Sequence, residues 1–197
     1  MNDTALILIG FQNDYFSEDG ILHSVIEESS RTTGVLKNTL DLLGKRGDEF
    51  GLIVNTPIHF TEDYSELDDP VGILKVIKET GAFQKGCKGS QTISEFKQYS
   101  SIITDVPGKR GLNAFSNTNL ESLLRKHDIN QVVLAGTVTS ICIDSTGRHA
   151  AECGFRVTVL SDCTSSRTPF EQKFYCEEVF PLYANVITSK ELFKEHA

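Results

Sequence analysis

Cys142 sits where a thiol is most easily turned into a nucleophile. It ends the run Gly136-Thr-Val-Thr-Ser-Ile-Cys142, which follows the apolar residues Val132, Val133 and Leu134. The run leads into a helical stretch from about Ser140 to Glu152, stopped by Gly154. A buried strand therefore hands over to a helix at this cysteine. In the first turn of a helix a thiol meets unpaired backbone N–H groups and the positive end of the dipole. Both lower its pKa and favour the thiolate, the form that attacks a carbonyl carbon. A small apolar core residue suits the same place, so position alone leaves both readings open. Lys109 and Gly10, like Cys142, fall at or just after the end of a predicted strand.

Those ends meet only if the strands lie side by side, and the chain is patterned for that. Ala5–Ile9 is a short, wholly apolar run, typical of a strand covered on both faces. Val35, Leu36, Thr39, Leu40 and Leu43 recur at helical spacing, and Phe50–Thr56 reads as a second strand stopped by Pro57. The stretch His59–Gly89 is rich in loop residues, a length that usually serves function or an interface. Ser101–Val106 is a third strand, and Asn117–Leu120 opens a helix carrying Leu123 and Leu124. Strands at 131–136 and Arg156–Leu160 flank the helix of Cys142. Thr168 caps a helix that starts at Pro169 and runs to about Phe180. Ala184–Thr188 is a last strand, followed by a short C-terminal helix. This alternation predicts a single-domain, three-layer α/β/α fold over residues 1–197, with a central, mostly parallel sheet. In such sheets ligands bind beyond the carboxyl ends of the strands.

Composition narrows the partners. A net charge of −8 favours neither nucleic acid nor an anionic membrane. No apolar run is long enough to span a bilayer, and the N-terminus lacks the basic region of a signal peptide. Cys87, Cys142, Cys153, Cys163 and Cys176 are odd in number and irregularly spaced. That is the pattern of reduced thiols in a cytoplasmic protein, with a small molecule as the expected partner.

Four ordered pieces resemble a known family. They are Ala5-Leu-Ile-Leu-Ile-Gly-Phe-Gln-Asn-Asp-Tyr-Phe16, Gly81-Ala-Phe-Gln-Lys-Gly-Cys-Lys-Gly89, Lys109-Arg-Gly-Leu-Asn-Ala-Phe115, and Gly136–Cys142 followed by Thr146, Ala150 and Gly154. Together, from about Ala5 to Thr188, they resemble the isochorismatase-like cysteine hydrolases, which include nicotinamidases and carbamoylsarcosine amidases. The resemblance implies an Asp-Lys-Cys triad, with Cys142 as nucleophile and Lys109 as the supporting cation. It also implies a cis peptide at Thr137–Val138, an oxyanion hole from the N–H groups of Val138 and Cys142, and a symmetric homo-oligomer.

The sequence departs from that pattern where the aspartate belongs. Position 10 is glycine, which accepts no proton and enlarges the expected pocket. Asp14, Glu62 and Asp63 are the candidate replacement acids; Asn113 stands where serine is frequent. Phe11, Phe83, Phe115, His59 and Thr137 are candidates to line the pocket. His59 survives after the second strand, but Pro57 occupies the place of a metal-binding aspartate, so neither a catalytic metal nor a cofactor is expected. The expected function is hydrolysis of a small amide or related C–N substrate. The alternative is a degenerate relative that binds a ligand or partner without turnover.

Overall fold

The computed structural model of the protein describes residues 1–194. Six strands form one sheet: β1 (Thr4–Ile9), β2 (Leu52–Thr56), β3 (Ile103–Asp105), β4 (Gln131–Thr137), β5 (Arg156–Ser165) and β6 (Asn185–Ile187). Their order is β3-β2-β1-β4-β5-β6, and every neighbouring pair is parallel. The helices are α1 (Asn13–Phe16), α2 (His23–Thr33), α3 (Val35–Arg46), α4 (Gly72–Thr80), α5 (Leu120–Lys126), α6 (Asp144–Glu152) and α7 (Pro169–Phe174). Among the described residues no helix is long and apolar enough to cross a membrane.

The period-two alternation of the strands feeds two cores. Ala5, Ile7 and Ile9 of β1 join Val132 and Leu134 of β4 on one face, under Leu120 and Leu124 of α5 and Ala150 of α6. Leu6, Leu8, Val133 and Ala135 point the other way, onto Val35, Leu42 and Leu43 of α3. Each fully buried Leu or Ile contributes roughly 1.5–3 kcal/mol by transfer from water. β1 is buried along its whole length, so it needs the apolar run that the sequence supplies. A third cluster lies under the long 59–89 connection and includes Tyr15, Ile58, Phe60, Ile77, Phe83 and Val138.

Several elements differ from the sequence expectation, each for a local reason. α2 was not foreseen because it buries only Ile26 and Ser29, too few apolar residues to mark a helical period. α4 lies inside the stretch read as loop; its sequence is amphipathic, but only Ile77 is buried. The helix after β4 does not start as one piece: a π-type turn, Thr139–Ile143, precedes α6. β5 continues five residues past the expected end, with a register break opposite Leu134–Gly136. The helix capped by Thr168, whose side chain accepts the Glu171 N–H, keeps α form only to Phe174, then changes to π and 3-10 turns through Leu182. The expected C-terminal helix is a run of turns over 189–193, and residues 195–197 lie outside the described residues.

The chain winds outward from β1 to β3, then returns to the centre at β4 and winds the other way. β1 and β4 therefore adjoin at the reversal point, with Ile9 opposite Gly136. A crevice at the carboxyl ends of the strands opens there, and the residues just past β1, β3 and β4 border it.

Candidate active site

β4 delivers the cysteine. Gly136 has φ +127°, and a Cβ there would meet the Ile9 carbonyl oxygen at 1.8 Å, so only glycine lets the two central strands approach at this point. The next peptide bond but one, Thr137–Val138, is cis. The π-type turn then folds back on Val138, whose carbonyl accepts the N–H groups of Ile141 and Ile143 at 3.1 and 3.2 Å. Single π turns recur at functional sites because they displace one residue from the regular helical path; here Cys142 lies inside the turn, 3% exposed. The turn is braced from behind by Gln172, which accepts the Thr139 hydroxyl at 2.5 Å and donates to Thr164 Oγ1 at 3.0 Å.

The segment after β3 delivers the lysine. Ile58 and Lys109 form a parallel bridge, and the His59 N–H donates to the Lys109 carbonyl at 3.2 Å. Lys109 is fully buried. Its Nζ donates to the Gly111 carbonyl at 2.5 Å and lies 3.4 Å from Cys142 Sγ. No carboxylate pairs with it among the described residues. A buried ammonium without a counter-charge is strongly unfavourable, and the acidic group in contact with this one is the thiol. Gln12 holds the surrounding strand ends together: Nε2 donates to the Ile58 and Ser90 carbonyls at 2.8 and 2.7 Å, and Oε1 accepts the Ile58 N–H at 2.7 Å.

Position 10 is not an open space. Gly10 has φ +74°, and a Cβ there would meet the Thr137 carbonyl oxygen at 2.5 Å. The expected enlargement of the pocket is therefore corrected: Thr137 backbone packs against the glycine. None of the candidate replacement acids is hydrogen-bonded to Cys142 or Lys109. Asp14 is buried, but its Oδ2 accepts the Phe83 N–H at 2.6 Å and its Oδ1 the Ile21 N–H at 3.4 Å, tying α1 to the long connection. Glu62 and Asp63 are exposed. Asp63 takes the Thr61 hydroxyl and the Ser65 N–H, which hold its pKa below the usual range.

A pocket adjoins Cys142, lined by Tyr15, Ile58, Phe60, Leu74, Leu112 and Ile141 among others. Of the expected lining residues, Phe11 stacks on Phe16 and packs against Phe96 in the other core. Phe83 packs against Tyr15 in the third cluster. Phe115 shares the core of Cys142 but stacks on the His149 ring at 4.8 Å. His59 points its Nε2 to the Ser90 carbonyl at 3.1 Å, and Thr137 donates its hydroxyl to Ser165. None of these five lines the pocket. Tyr15 and α4 do, and sequence reasoning missed both. Tyr15 directly follows the Gln12-Asn-Asp run, so its phenol was a readable signal. Burial first, then the charges of Cys142 and Asp14, hold its pKa well above the usual value.

The comparisons with known proteins agree with this architecture. The family model described as isochorismatase domain matches residues 4–191, and the chain belongs to that family. It is 26% identical over 183 residues to ureidoacrylate amidohydrolase RutB of Agrobacterium fabrum, covering 85% of this chain and 78% of the relative. A cysteine hydrolase from Pseudomonas syringae pv. phaseolicola superposes with a TM-score of 0.82 at 17% identity, over 97% of this chain and 91% of that one. N-carbamoylsarcosine amidase from Thermoplasma acidophilum gives 0.71 at 23% identity, over 99% of each chain.

Proposed function

We propose that the protein is a cysteine-dependent hydrolase of a small amide or related C–N substrate, working with glycine at the family's aspartate position. The observation that carries this reading is the buried contact between Lys109 Nζ and Cys142 Sγ. Family membership supports it, as does the likeness to amide-cleaving relatives. Cys142 thiolate adds to the carbonyl carbon, and the carbonyl electron pair moves to oxygen beside the N–H groups of Val138 and Cys142. Collapse breaks the C–N bond; the leaving nitrogen takes a proton from Lys109, and a thioester remains. Water then adds to the thioester and returns a proton to Lys109. The C–S bond breaks, releasing the acid and restoring the thiolate.

In this scheme Lys109 both stabilises the thiolate and moves the proton that a carboxylate would otherwise carry. General acid–base help is worth about 10²–10⁴ in rate, so turnover is slow for the family. The tight packing of Gly10 on Thr137 favours one second reading, a relative that keeps the pocket for binding alone. The test is the pH dependence of Cys142 alkylation, followed by mass spectrometry, alongside release of ammonia from small amides. For the enzyme, Cys142 labels faster at neutral pH than the exposed Cys87. Lys109→Met slows that labelling, and Cys142→Ala abolishes ammonia release. Labelling no faster than Cys87 and unmoved by Lys109→Met, with no turnover, leaves the binding reading standing instead.

A further inference from the structure

The walls around Cys142 say what kind of molecule they accept. Apart from the thiol and the Tyr15 hydroxyl, the side chains lining the pocket are hydrocarbon, including Ile58, Phe60, Leu74, Leu112 and Ile141. No arginine, lysine or histidine lines it among the described residues. The nearby basic side chains are committed: Lys109 to the Gly111 carbonyl and Cys142, Arg110 to Glu66 at 3.6 Å, and the His59 ring to the Ser90 carbonyl. A substrate carboxylate placed here would lose its water and find no partner, the costly way to bury a charge.

From these walls, and resting on the hydrolase reading above, we infer that the substrate is a neutral amide with a small aliphatic acyl group, its polar end held between Cys142 and the Tyr15 hydroxyl. The cavity of about 10 Å³ holds roughly one water, so the acyl chain is short. Tyr15 keeps its proton because burial and the neighbouring Cys142 and Asp14 raise its pKa, so it serves as a donor toward the substrate's oxygen or nitrogen.

The test uses the natural protein and two alkylating reagents of nearly equal size with the same leaving group, iodoacetamide and iodoacetate. In each case a C–S bond forms and iodide leaves. Cys87, exposed on the surface, serves as the internal reference. The expected result is a Cys142-to-Cys87 rate ratio about tenfold higher for the neutral reagent, as the cost of desolvating a carboxylate requires. In parallel, ammonia is released from propionamide and not from malonamate, which differs by a carboxylate in place of the terminal methyl. An equal or higher ratio for iodoacetate, or preference for malonamate, overturns the inference and leaves Cys142 as the nucleophile. If neither reagent labels Cys142 while Cys87 reacts, the hydrolase reading fails and the inference falls with it.

Discussion

Gly10 shows how one residue's backbone can decide what its side chain is allowed to be. Its φ of +74° lies where L-residues are strained, and the Thr137 carbonyl occupies the place of a Cβ. Restoring an aspartate is therefore not a simple repair. Gly10→Asp is expected to cost about 1–3 kcal/mol of stability from the φ alone, with more from the contact with Thr137. Urea unfolding checks this; an unchanged midpoint would mean that the backbone turns over to the right-handed side at little cost. Lys109 makes the complementary point. A lysine beside Arg110 reads as a solvated loop residue, yet it is fully buried, because the Ile58 bridge and the Gly111 carbonyl draw it inward.

At the scale of elements, the site is assembled by short braces between strand ends. Gln12, just past β1, satisfies both backbone groups of Ile58 past β2, and Ile58 in turn pairs with Lys109 past β3. Gln12→Leu would leave the Ile58 N–H and carbonyl unpartnered, each worth about 1–3 kcal/mol if no water replaces the side chain, while the Ser90 carbonyl keeps the His59 ring. We expect a loss of roughly 2–4 kcal/mol and slower alkylation of Cys142, since the Lys109 segment loses its anchor. A variant destabilised to that degree but labelled at the natural rate would separate the brace from the site. The Gln172 side chain plays the same part behind the π-type turn, joining it to α7 and β5.

Over the whole molecule, buried titrating groups set the pH range of stability. Burial, and secondarily the charge of Asp162, pushes Cys163 up to about 12; burial and Glu177 push Cys176 to about 11. In the unfolded chain both thiols ionise near 8.5. Between those values the folded state binds more protons than the unfolded one, so stability falls as pH rises above about 8.5. Glu171 works in the opposite sense. Burial alone would raise it, but hydrogen bonds from Arg167 and Ser166 hold it at about 2, against about 4.3 when unfolded. Its contribution is present above about 4.3 and is lost as pH falls toward 2. Urea midpoints between about pH 2 and 11 are expected to show both limbs. Cys163→Ala with Cys176→Ala flattens the alkaline one, and Glu171→Gln the acid one. Slopes that these substitutions leave unchanged would assign the limbs to other groups.

The alternation of strands and helices, the parallel sheet and the family were legible in the sequence, because they rest on local patterns: apolar runs, helical spacing, a capped Pro169, and motifs in fixed order. The Thr137–Val138 turn was legible in the same way, as part of a motif. The surroundings of Cys142 were not. Phe11 and Tyr15 are four residues apart, yet one packs behind the sheet and the other lines the pocket. The Asp14 carboxylate is held by the Phe83 N–H, 69 positions away, a partner that no local pattern names. Helix α4 buries too little by itself to announce a partner, and its position against Cys142 exists only once Ile58, Phe60 and Tyr15 have gathered beneath it. Local spacing determines which elements form, since each is a short-range choice of backbone. Which side chains share a pocket depends on contacts between segments far apart in the chain, and only the folded structure decides those.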